Sequence, residues 1–371
     1  MPVHLTGLGV ALPTTSVKQE ALADAAVACC CQDDRQAKLL RALYRRSGVE
    51  TRGCAILDDT EQPKDIGEVF PPRRDPKDLG PTLEARMAMY RVAAERLALR
   101  ASEDALEHAD VAASDVGHLI TVSCTGFAAP GVDAFLIQRL GLCPSVSRTH
   151  IGFMGCHAAL NGWEAADALA ARSGRPALLV CVEVCTAHFA YGWDPNRLVA
   201  NALFADGAAA AVLTPARDKE HSQPIEPHLL DRCSRILPDS PDAMTWQLGA
   251  HGFAMTLSSR VPEIIEQHAG DVLRNFLRSY DLTPDQLDGL IVHPGGPRVL
   301  RATTRALGLP TSTVQHSIDV LREHGNLSSP TVLVILQRVL EHSQGRHDES
   351  RRWLVVAFGP GLALEAMLLG S

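Results

Sequence analysis

"HADVAASDVGHLITVS", residues 108–123, is echoed without a gap by "SYDLTPDQLDGLIVHP", residues 279–294. Asp110 aligns with Asp281, Val111 with Leu282, Leu119 with Leu290 and Ile120 with Ile291. Each copy reads as a helix end, a turn and then a strand. Downstream, "RLGL" (139–142) is echoed by "ALGL" (306–309) in the same order. Two matches in one order imply a duplicated chain. The halves are 1–215 and 225–371, and a site between them would draw residues from both.

The rest of the pattern agrees with an α/β protein. β-Branched and apolar runs at 178–184, 208–214, 289–293 and 353–358 predict strands. Helical periodicity predicts helices at 83–108, 157–172, 261–279, 296–307 and 331–342. The polar segment 214–227 reads as a linker, and the Pro- and charge-rich stretch 57–81 as a surface excursion.

Composition removes several classes. The 371 residues are 46% hydrophobic and 21% charged, enough for a large core, and a formal charge of −8 gives no reason to expect a nucleic-acid partner. The first fifteen residues lack a basic start and a long apolar run, and no stretch has the length of a bilayer span. The expectation is a cytoplasmic protein without stable membrane insertion. Ten cysteines in a chain of this length do not form a disulfide framework. Cys29, Cys30 and Cys31 lie in a helical pattern that points adjacent side chains apart, and Cys156–His157 lacks tetrahedral ligand spacing. No metal site is expected.

Three segments carry chemistry. Cys156, in "FMGCHAALNG" (153–162), precedes a helical run, and a helix N-terminus stabilises a thiolate. The competing reading is an inert buried thiol. His293 ends a strand before a Pro-Gly-Gly turn, where it is either a cleft residue or a structural histidine. Asn326 follows Gly325 and precedes Ser328 and Ser329, a pattern that also fits helix capping.

Cys, His and Asn in this order resemble the triad of condensing enzymes with a thiolase fold. The segments at 122–142, 153–162, 201–213, 293–300, 324–336 and 357–369 resemble type III polyketide synthases, the chalcone and stilbene synthase superfamily, over most of the chain. Ketoacyl synthase III enzymes, the alternative, typically place Gln-Ala-Asn after the histidine where this chain has Pro-Gly-Gly. The resemblance implies a five-layered α-β-α-β-α homodimer that uses acyl-CoA starters and malonyl-CoA and needs no cofactor. It implies that Cys156 is the acyl-carrying nucleophile, that His293 holds its thiolate as an ion pair, and that His293 and Asn326 are oxyanion donors.

The same resemblance assigns Phe204 as gatekeeper between coenzyme A tunnel and cavity, although an ordinary core aromatic also fits. Ser328 is placed with the pocket residues, Arg46 at a coenzyme A-binding position, and Ala129 where a loop crosses toward the partner's cavity. Lys38, Arg41 and Arg45 do not fall on the other basic positions and read equally as a solvated helix face. Relative to plant chalcone synthases, Cys124, Cys185 and His188 replace pocket threonines, Trp246 a glycine and Met255 a phenylalanine. With "VEVCTAHFAYG" (182–192), these changes look more like bacterial alkylpyrone and alkylresorcinol synthases and point away from aromatic starters.

Overall fold

The computed structural model describes residues 2–58, 65–216, 226–342 and 350–371. Residues 217–225 of the expected linker and 59–64 of the expected excursion lie outside them. Nine strands hydrogen-bond in the order Gly289–Val292, Arg352–Gly359, Ala363–Gly370, His228–Ile236, Val3–Ala11, Asp206–Pro215, Ala177–Val184, His118–Ser123, Ser147–Gly152. The centre of this order is a single residue pair, His4 with His228. On both sides of it the pattern repeats: an antiparallel pair, a second antiparallel pair, then a parallel pair.

Alternation along the strands explains the layers, because successive side chains point to opposite faces. In Asp206–Pro215, Ala208, Ala210 and Val212 join a cluster with Ala94, Leu97 and Ala101 of the helix Leu83–His108. Ala209, Ala211 and Leu213 instead join a cluster with Trp163 of the helix Ala158–Ser173 and Val332 and Ile335 of the helix Thr331–His342. In Arg352–Gly359, Trp353, Val355 and Ala357 face that same central cluster. Leu354, Val356 and Phe358 face Ile265, Leu273 and Leu300 of the helices Val261–Arg278 and Pro297–Leu307. The result is helix, sheet, helix, sheet, helix: five layers, as expected.

The echo that predicted duplication holds at the level of backbone angles. Asp110 and Asp281 both adopt positive φ, 49° and 55°, a conformation few L-residues adopt. Gly141 and Gly308 both cap helices in the left-handed region, at φ 71° and 74°. The predicted strands and helices appear within two residues of their expected ends. Among the described residues no helix is long and apolar enough to cross a membrane. Cys29 and Cys30 are buried at the end of the helix Gln19–Cys30, where Cys29 donates to the carbonyls of Phe70 and Pro71 and Cys30 to that of Ala190.

Candidate active site

The helix Ala158–Ser173 is preceded by a tight turn, Gly155–His157, that holds Cys156. Gly155 is required there: its φ is +77°, and a Cβ would lie 2.4 Å from Cδ of Pro360. Pro360 follows the strand Arg352–Gly359, so the nucleophile turn leans on the second half of the chain. His157 is buried, pairs through Nδ1 with Oδ1 of Asn161 at 2.8 Å, and packs on Gly359. Its ring is committed to the scaffold.

His293 follows the strand Gly289–Val292, anchored by its N–H to the carbonyl of Val356 at 2.8 Å. Asn326 lies between the helices Gln315–His324 and Thr331–His342. Its backbone bridges to Phe204, its N–H donates to Leu203 O, and its carbonyl accepts from Ala205 N. Its Oδ1 accepts from Ser328 N at 2.8 Å, which turns the amide NH2 toward the pocket. Cys156, His293 and Asn326, distant in sequence, line one pocket with Phe204 and Met255.

The thiol's acidity departs from the helix-terminus argument. Burial pushes Cys156 up to about 12, while hydrogen bonding with Ser328 and Asn326 pulls it down and the Glu183 carboxyl pushes it up. Desolvation of the thiolate outweighs the favourable helix end. Burial, with the neighbouring His157, lowers His293 to about 3, so its imidazole is neutral at physiological pH. The Sγ of Cys156 lies 3.5 Å from Oγ of Ser328, and neither ring nitrogen of His293 has a hydrogen-bond partner. The expected ion pair is thus not a contact of this structure. The components are a thiol and a neutral base in one pocket, each driven to its uncharged form by burial.

Phe204, Met244 and Met255 stand between this pocket and a larger cavity of about 240 Å³. The sulfur opens on both sides. Cys124, Cys185, His188, Trp246 and Ser328 line the larger cavity. Trp246 and Met255 are direct cross-strand partners in the hairpin Met244–Gly249/Gly252–Leu257, which places them on one face. Trp246 donates through Nε1 to Cys124 O at 2.7 Å and meets His188 edge-on. His188 pairs through Nε2 with Thr125 O and accepts at Nδ1 from Phe253 N, and burial lowers it to about 4. Both nitrogens are occupied and the ring is neutral; it is a wall of the cavity.

Ala129 is exposed and does not line the cavity of its own chain. Arg46 is exposed at the end of the helix Asp34–Arg45, next to Arg45. On the same helix, Lys38 is exposed and Arg41 pairs with Asp24 at 2.9 Å.

Sequence reasoning missed Glu183. Fully buried beneath the site, it accepts from the N–H groups of Cys124 and Thr125 and from the hydroxyls of Thr125 and Ser329. Burial raises its pKa, making it a weaker acid, against the pull of all those donors. A charged residue in the hydrophobic run "LLVCVEV" was the available signal, since a carboxylate inside a buried strand demands partners.

Comparison with known proteins agrees with the geometry. The profile for chalcone and stilbene synthases, N-terminal domain, matches residues 2–216, and that for the C-terminal domain matches 229–371. The chain is 31% identical over 366 residues to the alpha-pyrone synthesis polyketide synthase-like Pks18 of Mycobacterium tuberculosis, covering 98% of this chain and 90% of that one. It is 33% identical over 360 residues to 1,3,6,8-tetrahydroxynaphthalene synthase of Streptomyces peucetius, covering 97% and 90%. The crystal structure of PKS-I from the brown alga Ectocarpus siliculosus superposes with a TM-score of 0.89 at 31% identity, over 99% of this chain and 98% of that one. A duplicated thiolase-like fold with a cysteine, a histidine and an asparagine at the meeting of its halves belongs to the chalcone and stilbene synthase family, and the chain is a type III polyketide synthase, an acyltransferase that uses acyl-CoA and malonyl-CoA.

Proposed function

We propose that the enzyme extends a fatty acyl-CoA starter with malonyl-CoA and releases a pyrone or a resorcinol-type aromatic product. The observation that carries this reading is the lining of the larger cavity. Besides Cys156 its lining includes Cys54, Cys185, Leu22, Ile66, Phe70 and Leu79, a mainly apolar surface suited to an alkyl chain. A pyrone is also what the name of the mycobacterial relative states of that protein.

In this reading residues 1–215 supply the nucleophile and residues 225–371 the base and the amide. His293 takes the proton of Cys156, and the sulfur attacks the starter thioester, expelling the coenzyme A thiolate. Malonyl-CoA then enters beside His293 and Asn326. Loss of CO2 leaves an enolate whose oxygen is met by their N–H donors. The enolate carbon attacks the thioester on Cys156 and releases the cysteine sulfur, which is reloaded with the lengthened chain for the next round. The scheme uses no organic cofactor or metal. We further propose a cytoplasmic homodimer in which the loop at Ala129 approaches the partner, and a coenzyme A contact at Arg46.

Incubation with malonyl-CoA and a panel of acyl-CoA starters, read by mass spectrometry, tests the reading. Products built from long alkyl starters are expected, with Cys156→Ala and His293→Ala each forming none. Products only from aromatic starters would overturn it. A requirement for malonyl-carrier protein in place of malonyl-CoA would favour a single-condensation enzyme.

A further inference from the structure

A buried cation lines the mainly apolar cavity. Arg52, in the short strand Thr51–Gly53, is only 2% exposed and shares the lining with Cys54, Cys185 and Phe204. Its Nη1 donates to the carbonyl of Phe204, and its buried Nε has no hydrogen-bond partner. Among the described residues that carbonyl is the one acceptor the guanidinium has, and no carboxylate forms an ion pair with it. The Tyr44 ring lies 5.8 Å from its central carbon. Burial raises nearby Asp206 to about 6, and Arg52 is among the groups that pull it back. The oxygens of Asp206 are nevertheless taken by the N–H of Ala55 and by the N–H and hydroxyl of Thr186. A guanidinium carries five N–H donors, and leaving most of them unmet inside a protein is costly.

The position of Arg52 is close to the chemistry. A Cβ on Gly325 would lie 3.3 Å from Cβ of Arg52, and Gly325 directly precedes Asn326. Phe204, whose carbonyl Arg52 holds, bridges to Asn326 and lines both the reaction pocket and the larger cavity. The spare donors of Arg52 therefore stand at the end of the cavity nearest the reaction centre.

We propose that Arg52 binds the oxygens of the 1,3-dicarbonyl segment of the growing chain. This rests on the reading of the chain as an enzyme that lengthens an acyl group with malonyl units. Each round places a new carbonyl next to the sulfur, two carbons from the previous one, and pushes the alkyl tail further away. Two oxygens so spaced match the fork of a guanidinium, and a cation beside them favours their enolate form. A mainly apolar cavity with one placed cation thus suits both parts of the chain, the tail on Leu22, Ile66 and Phe70 and the oxygens at Arg52. Bound at Arg52, the chain stays extended between rounds. A chain without that contact folds back on its own thioester sooner and leaves as a shorter product.

Calorimetry with nonane-2,4-dione and nonan-2-one, which differ by one carbonyl, tests the contact without turnover. Wild type should bind the dione about tenfold more tightly. Equal affinities would overturn the proposal, and no variant is needed to see it. Arg52→Gln keeps a donor for the Phe204 carbonyl but no charge, so the preference should shrink to roughly twofold or less, while Arg52→Lys should retain part of it. An equal loss of affinity for both ligands would assign Arg52 to holding Phe204 alone, which also overturns the proposal. With malonyl-CoA and an alkyl acyl-CoA starter, the fraction of product carrying the most malonyl units should drop about fivefold in Arg52→Gln, with shorter pyrones in its place. An unchanged product distribution in a folded variant would count against the proposal. A wild type that makes no product from malonyl-CoA and any starter would instead overturn the functional reading on which it rests.

Discussion

Replacing His293 by Gln separates two ways of making Cys156 a nucleophile. A lone thiol in this pocket is pushed up to about 12, so at pH 7 roughly one molecule in 10⁵ carries the thiolate. A more basic thiolate is also more nucleophilic, and a Brønsted slope of about 0.4–0.5 returns roughly 10² of that loss. The net expectation for His293→Gln at pH 7 is a rate on the order of 500-fold below a fully ionised cysteine. The wild type escapes this penalty only if the neutral imidazole of His293 accepts the proton, which leaves opposite charges side by side. The assay is modification of Cys156 by a small uncharged disulfide between pH 5 and 10, followed by peptide mass spectrometry to resolve it from Cys54, Cys124 and Cys185. Wild type should reach a plateau near neutral pH. His293→Gln should keep rising through pH 10, tenfold per unit. Superimposable profiles would refute the reasoning and assign the thiol's acidity to Ser328, Asn326 and the helix end.

Trp246→Ala removes the indole that crosses from the hairpin to Cys124 O; heavier products, with longer starters or extra malonyl units, are expected by mass spectrometry, and an unchanged product set would show that this ring does not limit the cavity. Glu183→Gln must fail in either amide orientation, because both carboxylate oxygens accept a backbone N–H. A loss of about 2–3 kcal/mol in urea unfolding is expected, and an unshifted midpoint would contradict it. Asp206 is buried and raised from 3.8 to about 6 by burial. A carboxyl raised on folding contributes most below its unfolded value, and that contribution is lost as pH rises through its folded one. Stability of wild type relative to Asp206→Asn should therefore fall by about 2 kcal/mol between pH 4 and 7, and a flat difference would argue against the raised value.

The sequence was most legible where one local rule governs one residue. Asp110 and Asp281 aligned because both complete the same positive-φ turn, and Gly141 and Gly308 because both end a helix in the left-handed region. Phe204 was legible only by resemblance, since its place beside Asn326 depends on a one-residue bridge between segments more than a hundred positions apart. Glu183 was hidden for a related reason. Its partners come from the loop after His118–Ser123 and from Ser329, and no spacing in the chain announces that meeting. The acidity of Cys156 was misjudged because a helix N-terminus is visible in sequence while the desolvation opposing it is not. His188 was read as a pocket residue by resemblance alone, because the backbone partners that hold its ring, at Thr125 and Phe253, are not visible in the sequence.

The duplication also explains why the reactive groups divide as they do. The helices Ala158–Ser173 and Thr331–His342 share the central layer, one from each half, and each is entered through a short segment that carries a reactive side chain. Cys156 occupies the first of these entries and Asn326 the second. The strands His118–Ser123 and Gly289–Val292 are likewise counterparts, yet only the second is followed by a histidine; the first leads into Cys124, whose N–H is held by Glu183. A symmetric scaffold thus offers four equivalent positions, and the sequence fills them with a thiol, an amide, a base and a cavity wall. The cavity is closed around these core residues by the hairpin Met244–Gly249/Gly252–Leu257 and by Leu22, Ile66 and Phe70. Substitutions at Cys156, His293 and Asn326 should therefore alter whether condensation occurs, and substitutions in the hairpin or at Leu22, Ile66 and Phe70 which acyl chain is condensed.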